Sequence, residues 1–177
     1  MKNITNKLLI LLVLGVLVVS AGVASAAPPD RTMEKVRKEL VTLPYYGVFD
    51  NLEYKVDGNT VTLFGQVRQP ITRRDAERRV AKVEGIDRVV NNIEVLPVSG
   101  FDDSIRARTY RAVFRSGSLY RYAMGANPSI HIIVKNGRVT LEGVVSSKMD
   151  SQLAYMAANG VPGVFSVTNN LHIASRG

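Results

Sequence analysis

Apolar and polar residues alternate along two stretches of the chain that share the pattern V-T-L-x-G-x-V. The pattern occupies residues 61–67 and recurs 78 residues later at 139–145, and the match runs without a gap from Val56/Val134 to Val95/Ile173. Strict alternation of this kind is typical of a β-strand with one buried face. The sequence therefore predicts two copies of one small module.

The first copy is predicted to fold as helix, strand, strand, helix and strand. Apolar residues at three- and four-residue spacing predict the helices. Thr72 and Asp75 form a capping box that opens the second helix, and Gly85 lies where a helix C-terminal glycine is expected. The predicted elements are an extended lead at 27–30, a helix with Met33, Val36, Leu40 and Val41 inside, strands 52–56 and 61–67 around a turn at 57–59, a helix with Ala76, Val80 and Val83 inside, and a strand at 86–95.

The second copy repeats this order after a linker at 96–100. Because a two-stranded hairpin is not stable alone, a third strand and two covering helices make the smallest stable unit. We predict an α+β fold of two tandem αββαβ sandwiches, each a three-stranded sheet covered by two helices, in domains 30–96 and 101–175. The predicted elements are a helix 103–114, about five additional residues inside 116–127, strands 130–134 and 139–145 around the turn 136–137, a helix 150–159, and a strand 164–173.

The N-terminus has the layout of a secretory signal peptide. Lys2 and Lys7 precede an apolar run at 8–19, and Ala24-Ser25-Ala26 supplies a small-residue cleavage pattern,. We predict a signal peptide at 1–26, which leaves 151 residues with a net charge of +6 once Lys2 and Lys7 are removed from the formal +8. The alternative is an uncleaved membrane anchor, because residues 8–24 approach the length of about 20 apolar residues that a spanning helix needs.

The chain contains no cysteine. An exported protein of this kind is held together by its apolar cores and not by disulfides. The absence also excludes attachment as a cysteine-anchored lipoprotein, thiolate metal sites and cysteine nucleophiles. The predicted localisation is periplasmic or secreted.

The repeated residues resemble the BON domain, a family named for bacterial osmotically induced and nodulation proteins. The motif elements are the two V-T-L-x-G-x-V strands, Ala76-Glu77 in a helix, and V-x-G-[IV]-x-x-V-x-N-x-[IL] at 83–93 and 161–171. The resemblance implies small αββαβ sandwiches, commonly in tandem behind export signals, that are associated with the bacterial envelope, phospholipid membranes and stress tolerance. The second copy departs from the motif at Tyr155 and in the turn at Asn136-Gly137, so the two copies are not expected to act equally.

Several motif residues are predicted to be structural. Gly65 and Gly143 lie inside strands, where a glycine marks either a ligand cradle or a close approach, and we favour a helix packed tightly on the strand because no phosphate-binding motif accompanies them. Asn91 and Asn169 begin asparagine pairs that are expected to bond a neighbouring turn. The remaining structural residues are Gly85 and Gly163.

Neither a metal site nor a catalytic site is predicted. His131 and His172 are the only histidines, and a zinc site needs three or four ligands, so we expect isolated surface side chains,. No G-x-S-x-G elbow or paired-carboxylate arrangement accompanies a nucleophile. We predict no enzyme, no cofactor and no nucleic-acid partner, although an enzyme whose site spans both copies stays a weaker alternative.

The first helix of the second copy carries the candidate binding residues. At about 100° per residue, Ile105, Thr109, Ala112 and Val113 face the core, and Tyr110 and Phe114 lie almost opposite it,. Aromatic rings beside arginines suit an interface with lipid headgroups. The alternative is that Tyr110 and Phe114 pack against the first copy. The predicted lipid-contact residues are Arg108, Tyr110, Arg111, Phe114, Arg115, Tyr120, Arg121 and Tyr122.

These features predict a non-enzymatic exported protein that binds phospholipid membrane surfaces and supports envelope integrity or stress tolerance. The expected partner is an anionic phospholipid surface. The alternative is a periplasmic chaperone or adaptor that binds envelope proteins. The sequence leaves the oligomeric state open.

Overall fold

The computed structural model describes residues 29–125 and 127–174, which form two units in tandem. The predicted signal peptide lies outside the described residues. The first unit consists of α1 (Pro29–Val41), β1 (Asn51–Asp57), β2 (Thr60–Val67), α2 (Pro70–Val80), β3 (Arg88–Asn91) and β4 (Glu94–Val95). The second consists of α3 (Gly100–Phe114), a 3-10 helix (Gly117–Ala123), β5 (Ile130–Lys135), β6 (Arg138–Val145), α4 (Lys148–Asn159) and β7 (Ser166–Ile173).

The two sheets have the same topology. In the first, β2 pairs antiparallel with β1 and parallel with β3 and β4. In the second, β6 pairs antiparallel with β5 and parallel with β7. The predicted α+β fold of two units, each a sheet packed against helices, is confirmed. The last strand of the first unit is broken at residues 92–93, where the sequence predicts a continuous strand.

The repeated motif forms the central strand of each sheet, and its alternation builds the core. Val61, Leu63 and Val67 of β2 are buried together with Val36 and Leu40 of α1. The matching side of β6 is buried against α3 and α4. Burial of these apolar side chains is the main favourable contribution to the stability of both units.

Gly65 and Gly143 are required by the neighbouring strand. Their φ angles are +101° and +116°, a region that side-chain-bearing residues rarely adopt,. A Cβ at Gly65 would overlap the carbonyl oxygen of Asn51, and one at Gly143 would overlap that of Ser129. The predicted cause, a helix packed tightly on the strand, is therefore wrong, because the close neighbour is the backbone that leads into the paired strand.

The helix starts also differ from the prediction. The capping box of Thr72 and Asp75 is absent from α2, because this helix begins at Pro70 with Gln69 as N-cap and no side-chain cap. Proline fits the first helical position, since its missing N–H needs no partner there. In the second unit, by contrast, Ser99 and Ser147 cap α3 and α4 by accepting hydrogen bonds from backbone N–H groups.

The turn between β5 and β6 has its predicted position and is held by a buried carboxylate. Asn136 and Gly137 both have positive φ angles, 53° and 73°, as a tight two-residue hairpin turn requires,. Asp102 of α3 is fully buried and accepts hydrogen bonds from both of their backbone N–H groups, at 2.9 and 2.8 Å. The side chain thereby ties the start of α3 to the hairpin.

The two units touch through a segment of the first unit that we name the strap, residues 46–50. The strap runs along the free edge of β5, where the Ile132 N–H donates to the Val48 carbonyl at 2.7 Å. Val48 and Phe49 pack against the core of the second unit. The ion pairs Arg68–Asp103 and Lys135–Glu94 also connect the two units.

Candidate functional site

Helices α3 and α4 lie side by side and antiparallel on the second sheet. Leu153 near the start of α4 lies next to Gly117, just after α3 ends. Phe101 and Arg108 in the first half of α3 lie beside Gly163, just after α4 ends. The sides of these helices that face away from the sheet therefore form one continuous surface, which we name the α3/α4 face.

Three arginines supply the charge of the α3/α4 face. Arg111 and Arg115 are exposed, and Arg108 is half-buried with its Nε donating to the Ser104 carbonyl. Among the residues that the structure describes, none of the three forms an ion pair. Their charge is therefore available to an external anion.

Helix α4 supplies apolar side chains to the same face. Met149 and Met156 are 70% and 59% exposed, and Tyr155 is partly exposed beside them. The only carboxylate between residues 104–125 or 148–165 is Asp150, which is buried. The α3/α4 face thus combines positive charge with exposed apolar groups and carries no exposed acid.

The first unit differs at the corresponding positions. The offset of 78 residues places Arg78 and Glu77 of α2 where α4 has Met156 and Tyr155. Arg78 pairs with Asp75 at 3.7 Å, and Glu77 bonds Asn91, so the charges of α2 are partly neutralised within the unit. The exposed side of α2 therefore differs from that of α4 in carrying both charge signs.

Two predicted contact residues pack against the first unit instead. Phe114 is only 7% exposed, and Tyr110 is 37% exposed. The Tyr110 ring lies 4.8 Å from that of Phe114 and 6.1 Å from that of Phe49 in the strap, measured between centroids. The prediction that Phe114 faces outward is wrong, because the strap covers that flank of α3. The alternative, in which both rings pack against the first copy, agrees with these contacts.

Tyr122 and Arg121 belong to a hydrogen-bonded network around buried Asp150. The Tyr122 hydroxyl donates to Asp150 at 2.8 Å and accepts from the Ser146 N–H. Arg121 forms an ion pair with Asp150 at 2.7 Å. Burial opposes ionisation of Asp150, but hydrogen bonds from Ser147 and Tyr122 and the charge of Arg121 outweigh it and lower its pKa. Tyr122 is buried, so its predicted place on the surface is wrong, whereas Tyr120 is exposed.

A Tyr122→Phe variant tests this structural role. Removing the hydroxyl leaves the Ser146 N–H and one Asp150 lone pair without their partner, which should lower the free energy of unfolding by about 1–3 kcal/mol,. Urea titration would measure the loss. Tyr120→Phe, at an exposed ring, is the control and should be nearly neutral. Equal stability of the two variants would contradict the assignment.

The sequence did not indicate an exposed aromatic pair at one end of the α3/α4 face. Phe101 and Phe165 are 49% and 71% exposed, and their ring centroids lie 5.9 Å apart. Both rings lie against Gly137, where an added Cβ would crowd them, and Phe101 also makes ordinary contact with Gly163. No residue pattern pointed to this contact, because the two rings meet only through the packing of α3 beside the segment that follows α4.

The asparagines bond helices and not turns. Asn91 donates to the Arg73 carbonyl of α2, and Asn169 donates to the Ser151 carbonyl of α4. Each also accepts from the backbone N–H two residues on. The prediction that these asparagines bond a neighbouring turn is therefore wrong, because each side chain donates to a helix. Both units use the same pair of hydrogen bonds, which explains why both copies carry the asparagine. Gly85 has a positive φ of +87°, but its predicted place at a helix end is wrong, because α2 ends at Val80 and Gly85 lies in the turn before β3.

One of the two histidines is not on the surface. His131 lies buried on β5 between the two units, and its burial lowers its pKa. His172 on β7 is exposed near Glu53 and Glu142. Within the described residues, no group of three or more potential metal ligands occurs. The prediction of two surface histidines is thus wrong for His131, because the first unit covers the edge of β5.

Comparison with solved structures found distant likenesses. Two structures of CdsD, described as a structural protein of the Type III secretion system of Chlamydia trachomatis, are 10% and 11% identical. They cover 84% and 82% of this chain and 100% and 94% of their own, with TM-scores of 0.33 and 0.31. No curated protein matched the chain.

The family comparison is decisive. A family model described as BON domain matches residues 30–97 and again 102–175, which confirms the resemblance seen in the repeated motif. BON domains are non-catalytic, phospholipid-binding modules of envelope-associated proteins. In the described part of the chain, no helix has the length and apolar content to cross a bilayer. The two matches span most of the sequence, so the chain belongs to the BON domain family and carries two copies of the domain in tandem.

Proposed function

We propose that this is a non-enzymatic, exported envelope protein that binds anionic phospholipid surfaces through the α3/α4 face of its second unit, and that it supports envelope integrity or stress tolerance. The observation that carries the proposal is the composition of that face. It presents Arg108, Arg111 and Arg115 beside Met149 and Met156, without an exposed carboxylate.

Arginine suits the headgroup layer of a membrane. Its planar guanidinium donates paired hydrogen bonds to phosphate oxygens and is more weakly hydrated than an ammonium group. Each arginine near an anionic surface contributes about 1 kcal/mol. The three arginines of the face therefore give weak, salt-sensitive attraction by themselves.

The methionines add a contribution that salt does not screen. Burying a methionine side chain fully is worth about 1.5–3 kcal/mol, and Met149 and Met156 have most of their surface free to be buried. Tyr155 and exposed Tyr120 enlarge the apolar part of the membrane contact. Their rings suit the boundary of the membrane, where the hydroxyl groups stay among the polar headgroups. Together the two contributions are sufficient for reversible adhesion without insertion of a spanning helix.

In this proposal the two copies have different roles. Domain 30–96 is a scaffold that packs its strap on the second unit, and domain 101–175 carries the membrane contact. The N-terminal segment 1–26 directs export and is removed.

Flotation with vesicles tests the function. Binding is expected to vesicles of phosphatidylcholine mixed with phosphatidylglycerol and to be lost on vesicles of phosphatidylcholine alone. It should weaken but persist as salt rises, because the Debye length falls from about 10 Å at 0.1 M to about 3 Å at 1 M. Equal failure with both vesicles would overturn the proposal.

A second candidate function is a periplasmic chaperone or adaptor that binds envelope proteins. The exposed Phe101–Phe165 pair and the methionines of α4 favour it, since flexible methionine surfaces accommodate varied apolar partners,. Protection of an unfolded outer-membrane protein from aggregation, without affinity for either vesicle, would select this function.

A further inference from the structure

The strap is held in place by a polar cluster that lies between the two units. His131 on β5 and Asp50 in the strap are both nearly inaccessible to solvent, and Tyr46 is half-buried beside them. His131 Nδ1 lies 3.2 Å from the Gly47 carbonyl oxygen, and its Nε2 lies 3.4 Å from the Tyr46 hydroxyl. One imidazole thus contacts the strap through both of its nitrogens.

The partners determine which nitrogen of His131 carries the proton. The Gly47 carbonyl can only accept, so Nδ1 must hold the hydrogen in this contact,. Nε2 is then bare and accepts from the Tyr46 O–H group. The closed arrangement therefore fits the neutral ring, and a proton on Nε2 would remove the acceptor that Tyr46 uses.

Asp50 fixes the shape of the strap itself. Its two carboxylate oxygens accept from the Gly47 N–H at 3.0 Å and from the Arg68 N–H at 2.7 Å. The carboxylate thereby holds the Gly47 carbonyl towards His131 and the Val48 carbonyl towards the Ile132 N–H. Loss of the His131 contact would leave the Ile132 bond as the main backbone tie between strap and β5.

We propose that the cluster of Tyr46, Asp50 and His131 is a latch between the two units, which acidification opens by protonating His131, so that the strap leaves the edge of β5. The charged and titratable groups that face the imidazole are Tyr46 and Asp50 from the strap and Glu142 from β6, its cross-strand partner. Glu53 of β1 lies beyond them, close enough to affect Tyr46 and Glu142.

The direction follows from the difference between the closed and open forms. Burial lowers the pKa of His131 in the closed form, so a proton binds the open form more tightly,. His131 stabilises the closed form fully at pH values above the ordinary histidine pKa of about 6.5. This stabilisation decreases as the pH falls through that value. Burial raises the pKa values of Asp50 and Glu142 above their ordinary values of 3.8 and 4.5, so their protonation favours the closed form, which is the opposite sense to that of His131.

Hydrogen exchange at a single amide tests the latch in the full chain. The Ile132 N–H is protected by the strap, whereas the amides of β6 are protected by the sheet alone. Between about pH 7.5 and about pH 5.5, on either side of the ordinary histidine pKa, we expect a severalfold fall in the protection factor of Ile132 relative to those of β6. An unchanged ratio would overturn the proposal.

Two variants identify the group responsible. His131→Asn keeps a donor for the Gly47 carbonyl but does not titrate, so its ratio should be independent of pH, while the control His172→Asn should respond as the native chain does. The same response in His131→Asn as in the native chain would contradict the latch. Tyr46→Phe removes the hydrogen bond between Nε2 and the strap, so protection of Ile132 at about pH 7.5 should fall, and unchanged protection would also count against the proposal.

Discussion

A Gly143→Ala variant is expected to lose about 3 kcal/mol or more of its free energy of unfolding. The added Cβ would overlap the Ser129 carbonyl oxygen, and the φ of +116° is strained for any residue with a side chain,. Neither problem can be relieved by rotating a side chain, since both belong to the backbone of the hairpin. For a domain of this size, the loss corresponds to a fall of about 15 °C in the melting temperature.

Thermal unfolding followed by circular dichroism measures this loss. Gly160→Ala is the matched control, because Gly160 has an ordinary φ and a Cβ there would make only ordinary contacts. Gly65→Ala should behave like Gly143→Ala, since it would overlap the Asn51 carbonyl oxygen in the same way. Melting temperatures of Gly143→Ala and Gly160→Ala within a few degrees of each other would refute the explanation.

Reversing the charges of Arg108, Arg111 and Arg115 to glutamate is expected to abolish binding to anionic vesicles. Removing three arginines costs about 3 kcal/mol at about 1 kcal/mol each, which is more than a hundredfold in affinity. The three glutamates would add repulsion from the lipid phosphates. The core should tolerate the change, because none of the three forms an ion pair among the described residues.

The duplication supplies the matched control for this experiment. Arg73, Arg74 and Arg78 are exposed on α2, so reversing them changes the net charge by the same amount on the other unit. Flotation should show that this variant keeps most of its binding. Equal loss in both triple variants would mean that net charge, and not the α3/α4 face, attracts the protein to the vesicle.

Much of the fold could be predicted because the alternation of β2 and β6 is strict and occurs twice. A one-residue slip would turn Val61 and Leu63 out of the core, so the pattern fixes which side of each strand is buried. The break in the last strand of the first unit was not visible, since Asn91-Asn92 at the break is matched by Asn169-Asn170 inside the continuous β7.

The candidate site was predicted only in part, because helical periodicity describes one helix and not its neighbours. It identified the exposed arginines Arg111 and Arg115, but it could not show that the strap covers Phe114 or that a 3-10 helix buries Tyr122 on Asp150. Met149 and Met156 could not be placed beside the arginines from the sequence, because their position depends on how α4 packs against α3. Contacts between distant parts of the chain decided each of these cases.

The connection between the first helix and the first strand makes different contacts in the two copies. In the first unit it becomes the strap and reaches forward to its neighbour. In the second unit it is longer, and its 3-10 helix folds back onto Asp150 of its own α4. The tandem pair therefore has a polarity, because the corresponding connection contacts the neighbouring unit in the first copy and its own unit in the second.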